Sequence, residues 1–179
     1  MKILHTRKQL FIFFMPGFLI GIFYINLLAK HYVAEPGIFS DYFLKQFGNV
    51  EIVIEEYIWY LLRVRVLPFL LLLGISFTRV RKIAAVLFLV WTGISSGILL
   101  SAAVLELGIK GSLLCMVGIL PQFLFYIPAY LVLLWYCYSY PKNHWNSQKT
   151  VFVSSMIFIG IIVEAYVNPI LVEAFLSTL

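Results

Sequence analysis

Long apolar segments separated by short polar connections dominate the chain. Five segments can be delimited, and each is near or above the ~20 residues that an α-helix needs to cross a bilayer. They run roughly over residues 9–29, 58–78, 83–105, 111–138 and 150–170. This pattern predicts an all-α, polytopic membrane bundle of about five transmembrane helices.

The second segment is the least regular, because Arg63 and Arg65 interrupt its start and its strictly apolar part is only Val66–Phe77. An arginine at the bilayer centre costs about 2.5–3.5 kcal/mol on insertion scales, whereas near an interface its long side chain reaches the headgroups. We therefore expect both arginines near an interface. Residues 51–65 predict an amphipathic helix that precedes the second span.

Composition agrees with this pattern. The 179 residues are 63% hydrophobic and 12% charged, which is about half the charged fraction of a soluble domain, and the mean hydropathy is +0.99. The net charge is +5, and the basic residues form short clusters at the ends of apolar segments. At such positions they indicate membrane topology rather than nucleic-acid binding. Without a linker or repeat, the chain is predicted to form a single integral membrane domain over residues 1–179.

The distribution of lysine and arginine predicts the orientation, because basic residues favour the cytoplasmic side. Eight of them share one side of the predicted topology: Lys2, Arg7, Lys8, Arg79, Arg81, Lys82, Lys142 and Lys149. The opposite side has five: Lys30, Lys45, Arg63, Arg65 and Lys110. We therefore expect a cytoplasmic N-terminus and an acidic outer loop over residues 30–57, between the first and second spans.

Residues for catalysis or metal binding do not occur at productive spacings. Cys115 and Cys137 lie 22 residues apart on one predicted helix, or about 33 Å along its axis, which is beyond disulfide reach. Ser95 and Ser96 lack the strand-turn-helix context of a hydrolase nucleophile. Three histidines lie in three different connections, far from any partner at ligand spacing: His5, His31 and His144. We expect no metal, no cofactor and no enzymatic activity.

Small residues in two segments predict helix packing. Gly17 and Gly21 are four residues apart in the first span, and Gly93, Gly97 and Ser101 continue the same spacing in the third. Such ridges let helix backbones approach closely. They fit packing inside the chain, with an interface between copies in a homo-oligomer as the open alternative.

The fourth segment contains two prolines and an amide. Pro121 and Pro128 have no N–H, so they leave the carbonyls of Val117 and Leu124 without helical donors, at a cost of several kcal/mol each in lipid. We expect a helix that is bent or broken against protein, with Gln122 at this point.

Glu164 is the strongest candidate for a functional residue. It lies some 14 residues beyond Thr150, or about 21 Å across the bilayer core, and an ionisable group there is a functional candidate. Asn168 follows on the same face, and Pro169 frees the carbonyl of Ala165. Two interpretations stay open: a structural lock that is protonated or hydrogen-bonded to the fourth helix, with Gln122 as a candidate partner, or a site for a transported ion.

Sequence motifs in the second half resemble the stage II sporulation protein M family. Residues 93–131 are similar to its central signature, from Gly-Ile-Ser-Ser-Gly through Leu-Glu-Leu-Gly-Ile-Lys-Gly to Ile-Leu-Pro-Gln and Ile-Pro-Ala, and residues 164–169, Glu-Ala-Tyr-Val-Asn-Pro, are similar to its C-terminal one. Residues 57–82 match more loosely. Where the broader family often has histidine and glutamate, this chain has Gln122 and Tyr126, and a glutamine is typical of the sporulation branch.

The resemblance implies a specific function. Such proteins lie in the mother-cell membrane at the sporulation septum, with five spans and the N-terminus inside. They are non-enzymatic scaffolds that anchor two peptidoglycan-cleaving partners, stage II sporulation proteins D and P, for septal wall thinning and engulfment of the forespore. The alternative, suggested by the fourth helix and by Glu164, is a small permease or transporter-like subunit.

Overall fold

Helices are the only regular secondary structure in the residues that the structure, a computed structural model, describes: Lys2–Ala29 and Ile54–Ser177, with side chains described over residues 10–27 and 54–177. The α-helices are α1 (Lys2–Phe23), α2 (Ile54–Leu61), α3 (Leu67–Ser76), α4 (Arg81–Leu107), α5 (Ile109–Ser139), α6 (Ser147–Ile162) and α7 (Asn168–Leu176). Three π-helical turns extend or connect them: Tyr24–Ala29, Leu62–Val66 and Val163–Val167. Of the predicted outer loop over 30–57, residues 30–53 lie outside the described residues, and Ile54 already begins α2.

Five helical segments are long and apolar enough to cross a membrane, which confirms the predicted all-helical fold with about five spans. They are Leu10–Leu27, Ile54–Ser76, Arg81–Leu107, Ile109–Ser139 and Ser147–Leu176. The second segment consists of α2, the π-turn Leu62–Val66 and α3, so the helix predicted before the second span runs directly into it. The arginines thus lie within a helical segment of 23 residues.

The helical discontinuities differ from those predicted. The fourth helix is not broken, because α5 continues for 31 residues and contains both Pro121 and Pro128. The fifth segment instead changes to a π-turn at Val163–Val167 and continues as α7. A proline near the start of a helix needs no N–H donor, which explains how Pro169 is accommodated as the second residue of α7.

The chain divides into two compact units. Unit 1 comprises residues 1–51, 87–118 and 171–179, and unit 2 comprises residues 52–86 and 119–170. The ranges of the two units alternate along the sequence. The core of each unit therefore forms only when segments that are distant in the sequence come together. The single domain over residues 1–179 stays a prediction.

In unit 1 the two glycine pairs pack against each other. A Cβ atom on Gly93 would lie 2.5 Å from the carbonyl oxygen of Phe14 and 2.9 Å from the amide nitrogen of Phe18. The same substitution at Gly17, Gly21 or Gly97 would also meet the backbone of the facing helix. The small residues therefore allow direct backbone contact between α1 and α4, which is packing within the chain.

A single glycine turns the chain from α4 into α5. Gly108 has a φ of +61°, in the left-handed region that ends many helices, and its N–H donates to the carbonyl of Val104 at 2.9 Å. Gly111 follows in the first turn of α5, where a Cβ atom would meet the Ala103 carbonyl. The two glycines explain physically why the Leu-Glu-Leu-Gly-Ile-Lys-Gly segment forms a tight helical hairpin.

The core of unit 2 is a set of buried residues at helical spacing. On α5 the buried positions recur every three or four residues: Gln122, Tyr126, Ala129, Leu133 and Tyr136. On the fifth segment they are Val153, Ile157, Gly160, Ile161 and Glu164. Polar side chains thus occupy positions on otherwise apolar buried faces, which requires that they find partners there.

Candidate functional site

Two π-turns of unit 2 carry charged side chains of opposite sign. Arg65 lies in the turn Leu62–Val66, and Glu164 lies in the turn Val163–Val167. In the second turn the N–H of Asn168 donates to the carbonyl of Val163, five residues earlier. A π-turn inserts one extra residue and so redirects side chains relative to a regular helix, and such turns are frequent at functional sites.

The two charged side chains form an ion pair. The Nε of Arg65 donates to both carboxylate oxygens of Glu164, at 3.2 Å to Oε1 and 3.0 Å to Oε2, and Nη2 donates to Oε1. The Glu164 side chain is 5% exposed, whereas that of Arg65 is 36% exposed. The carboxylate is therefore enclosed by protein, while the guanidinium retains an accessible edge.

A tyrosine from α5 completes the arrangement, which we call the polar cluster: Arg65, Tyr126 and Glu164. The Tyr126 hydroxyl donates to Oε2 of Glu164 at 2.7 Å, and the Arg65 guanidinium lies 5.5 Å from the centre of the Tyr126 ring. The cluster ties together three segments that are far apart in sequence. Charge-assisted hydrogen bonds of this kind are about twice as strong as neutral ones.

Gly160 makes room for this tyrosine. A Cβ atom at position 160 would lie 2.5 Å from Cε1 of the Tyr126 ring. Gly160 precedes Glu164 by one helical turn on the same face of the fifth segment. The ring can therefore lie against the backbone of α6 and present its hydroxyl to the carboxylate one turn further on.

An aromatic contact supports the next turn of α5. The rings of Tyr130 and Phe69 meet edge to face, with their centres 5.5 Å apart. Tyr130 follows Tyr126 by one turn, and Phe69 follows Arg65 by four residues, so the contact connects the same two segments as the polar cluster. Aromatic packing thereby holds α3 against α5 next to the ion pair.

Among the residues predicted on the fourth and fifth segments, one belongs to the polar cluster and the others lie beside it in the sequence. Glu164 is its centre, and Gln122 is buried on α5 one turn before Tyr126. A hydrogen bond from the fourth segment to Glu164 was expected, and Tyr126 of α5 donates one. Pro121 and Pro128 flank these positions and are partly exposed.

Asn168 and Pro169, the remaining candidates, begin α7 directly after the π-turn. The Oδ1 atom of Asn168 is buried and has no hydrogen-bond partner among the described residues. Pro169 has no N–H to donate, and the i to i−5 hydrogen bond made by Asn168 is the last one before it. These two residues therefore mark the end of the π-turn that carries Glu164.

The sequence alone named Arg65 and Tyr126 without bringing them to this site, and it gave no indication of Gly160. Arg65 was expected near an interface, which stays a prediction, and the structure shows that it pairs with Glu164. A signal was present, because two arginines interrupt the second segment and one glutamate interrupts the fifth, and pairing lowers the cost of buried charges in a membrane. Tyr126 stood out only through the sequence motifs, and no pattern indicated Gly160, since glycines are frequent throughout the chain.

The arrangement limits what Glu164 can bind. A carboxylate offers about four acceptor positions, and here the two oxygens accept three contacts from Arg65 and one from Tyr126. Over residues 10–27 and 54–177, no group of three or more His, Cys, Asp and Glu side chains could hold a metal ion. The described cluster is arranged to join helices.

Fold and cluster together define an all-helical, multi-pass membrane protein in which an ion pair joins two of the membrane-spanning segments. No protein-family model, curated protein or solved structure matches the chain.

Proposed function

We propose that this protein is a non-enzymatic membrane scaffold, which holds partner proteins at a defined place in the membrane. The observation that carries the proposal is the occupied carboxylate of Glu164, enclosed by Arg65 and Tyr126. A carrier needs a carboxylate that can exchange partners, whereas a scaffold needs helices fixed against one another. The hydrogen bonds of the polar cluster support the second requirement.

The motifs of residues 93–131 and 164–169 support a particular setting for the scaffold. By their resemblance to the stage II sporulation protein M family, we propose that the chain acts in the cell membrane of the mother cell at the sporulation septum. There it would localise the peptidoglycan hydrolases, stage II sporulation proteins D and P. The hydrolases would cleave the septal wall during engulfment. This chain would determine where in the membrane they act.

The partner-binding face is proposed to be the outer side of the membrane, because peptidoglycan lies there. It would include the loop predicted over residues 30–57. The acidic residues of the loop give this face a charge opposite to that of the connections at the other end of the spans. Charge complementarity would then favour partners with basic surfaces.

Replacement of residues 30–53 by a neutral linker of equal length tests this face. In starved host cells with a fluorescently tagged stage II sporulation protein P, the loop variant should disperse the hydrolase and arrest the septum before engulfment. Gly74→Ala is the matched control, because nothing lies within 4 Å of a Cβ atom at that position. Full recruitment by a correctly inserted loop variant would exclude the loop from the face.

A permease or transporter-like subunit is the second candidate. It is favoured by one observation, namely that the paired charges lie on two π-turns, where two membrane-spanning segments depart from regular helix. A transporter would show solute or ion flux in proteoliposomes, lost in Glu164→Gln. The scaffold proposal expects no flux from either protein, together with retention of the hydrolases in pull-downs by the wild-type chain.

A further inference from the structure

Two connections of unit 2 meet at one end of its helices. The Arg81 guanidinium, at the start of α4, lies 3.5 Å from the centre of the Tyr140 ring, which follows α5. Phe77, after α3, packs against Tyr136 and Trp145 with ring centres 5.9 and 6.3 Å apart. These contacts bring residues 77–81 and 140–146 together, so that their charges lie on one surface.

The charged residues of that surface are all basic. It contains five cationic side chains, which we call the basic end: Arg79, Arg81, Lys82, Lys142 and Lys149. No Asp or Glu occurs in the sequence between Glu56 and Glu106 or between Glu106 and Glu164. The N-termini of α4 and α6 also lie at this end, and their helix dipoles add positive potential.

Two of the cations are used to hold the connections in place. Arg81 is stacked on Tyr140, and Lys149 donates from Nζ to Oδ1 of Asn143 and to the carbonyl of His144. The other three, Arg79, Lys82 and Lys142, are exposed. The connections are thus fixed by part of the basic end, and the remaining positive charges face outward from a preorganised surface.

We propose that the basic end binds the headgroups of anionic phospholipids. The occupant follows from charge and place: these cations lie where membrane-spanning helices end, beside exposed Phe77 and Tyr140, and that is the depth of lipid phosphates and of interfacial aromatic belts. Basic surfaces between helices at this depth bind anionic headgroups. This inference is independent of the proposed scaffold function.

The test uses the purified full-length chain in nanodiscs that contain equal amounts of phosphatidylglycerol and phosphatidylcholine, with bound lipids measured by native mass spectrometry. Each exposed basic residue should contribute about fivefold to binding at low salt. We expect at least a tenfold preference for phosphatidylglycerol, which falls with ionic strength. Inorganic phosphate at millimolar concentration should not displace the lipid, because it lacks the anchoring chains.

Matched variants assign the preference to the basic end. Lys82→Gln should lower it about fivefold, whereas Lys110→Gln, at the other end of the spans, should leave it unchanged. Arg79→Lys conserves charge and should retain binding, which separates lost charge from misfolding. The proposal is overturned by equal binding of both lipids, by equal effects of the two glutamine variants, or by binding of a poly-glutamate peptide without lipid preference, which would indicate an acidic protein partner instead.

Discussion

The contact between α1 and α4 in unit 1 brings backbone against backbone at four glycines, whereas the contact around Glu164 in unit 2 depends on three polar side chains. In lipid there is little hydrophobic force between helices, so they associate through close packing or through polar bonds. Unit 1 uses the first means, with glycines that bring backbones together. Unit 2 uses the second, with charges that would be costly if left alone.

The difference gives the two contacts opposite vulnerabilities. The glycine contact is sensitive to any added atom, and the polar cluster is sensitive to any lost charge. Each unit contains one buried free cysteine, Cys115 in unit 1 and Cys137 in unit 2. Single-cysteine variants labelled by a thiol-reactive fluorophore can therefore report the unfolding of each unit separately.

The largest effect is expected from Glu164→Gln. It leaves the Arg65 guanidinium without its counter-charge, and breaking a buried ion pair destabilises by about 3 kcal/mol. Labelling of Cys137 during denaturation in detergent should show the loss. The double variant Arg65→Gln with Glu164→Gln should cost less than the sum of the single changes, because both remove the same interaction. Strictly additive losses would argue against the pair as a lock.

Gly93→Ala should destabilise unit 1 by about 2 kcal/mol, since overpacking of a close contact costs 1–3 kcal/mol. The new Cβ atom would meet backbone atoms of Phe14 and Phe18, which cannot move independently of their helix. Labelling of Cys115 should report this change earlier than labelling of Cys137. An unchanged Cys115 profile would mean that α1 and α4 separate without cost.

Tyr126→Phe should have a smaller effect, about 1.5 kcal/mol, because it removes one hydrogen bond to a charged acceptor and leaves the Arg65 pair in place. Cys137 labelling is again the measurement. Tyr166→Phe is the control, as Tyr166 lies in the same π-turn as Glu164 but is 50% exposed. Equal effects of the two substitutions would contradict the role assigned to the Tyr126 hydroxyl.

The smallest effect, and one of opposite sign, is expected from Gly74→Ala. Nothing lies within 4 Å of a Cβ atom there, so helix propensity decides, and alanine is favoured over glycine by about 0.5–1 kcal/mol. Thermal denaturation should show a slight stabilisation. Both variants replace glycine by alanine, so the difference between Gly74→Ala and Gly93→Ala measures the cost of placing a Cβ atom in the contact between α1 and α4.

The sequence by itself determined the number and approximate bounds of the spans. Length and hydropathy are local properties, and a lipid environment makes them decisive, since only helices satisfy their own backbone there. Both glycine pairs were also recognisable, because a spacing of four residues places them on one helix face. Span bounds and glycine spacing could be predicted without knowing which helices pack against each other.

Only the tertiary structure decided which residues meet. Arg65 and Glu164 are 99 positions apart, and their pairing depends on how the second and fifth segments pack. That packing brings Tyr126 to Glu164 across Gly160, and it gives Arg65 a buried carboxylate as its partner. Helical periodicity gives the face on which a residue lies, but contact between faces is a property of the whole fold.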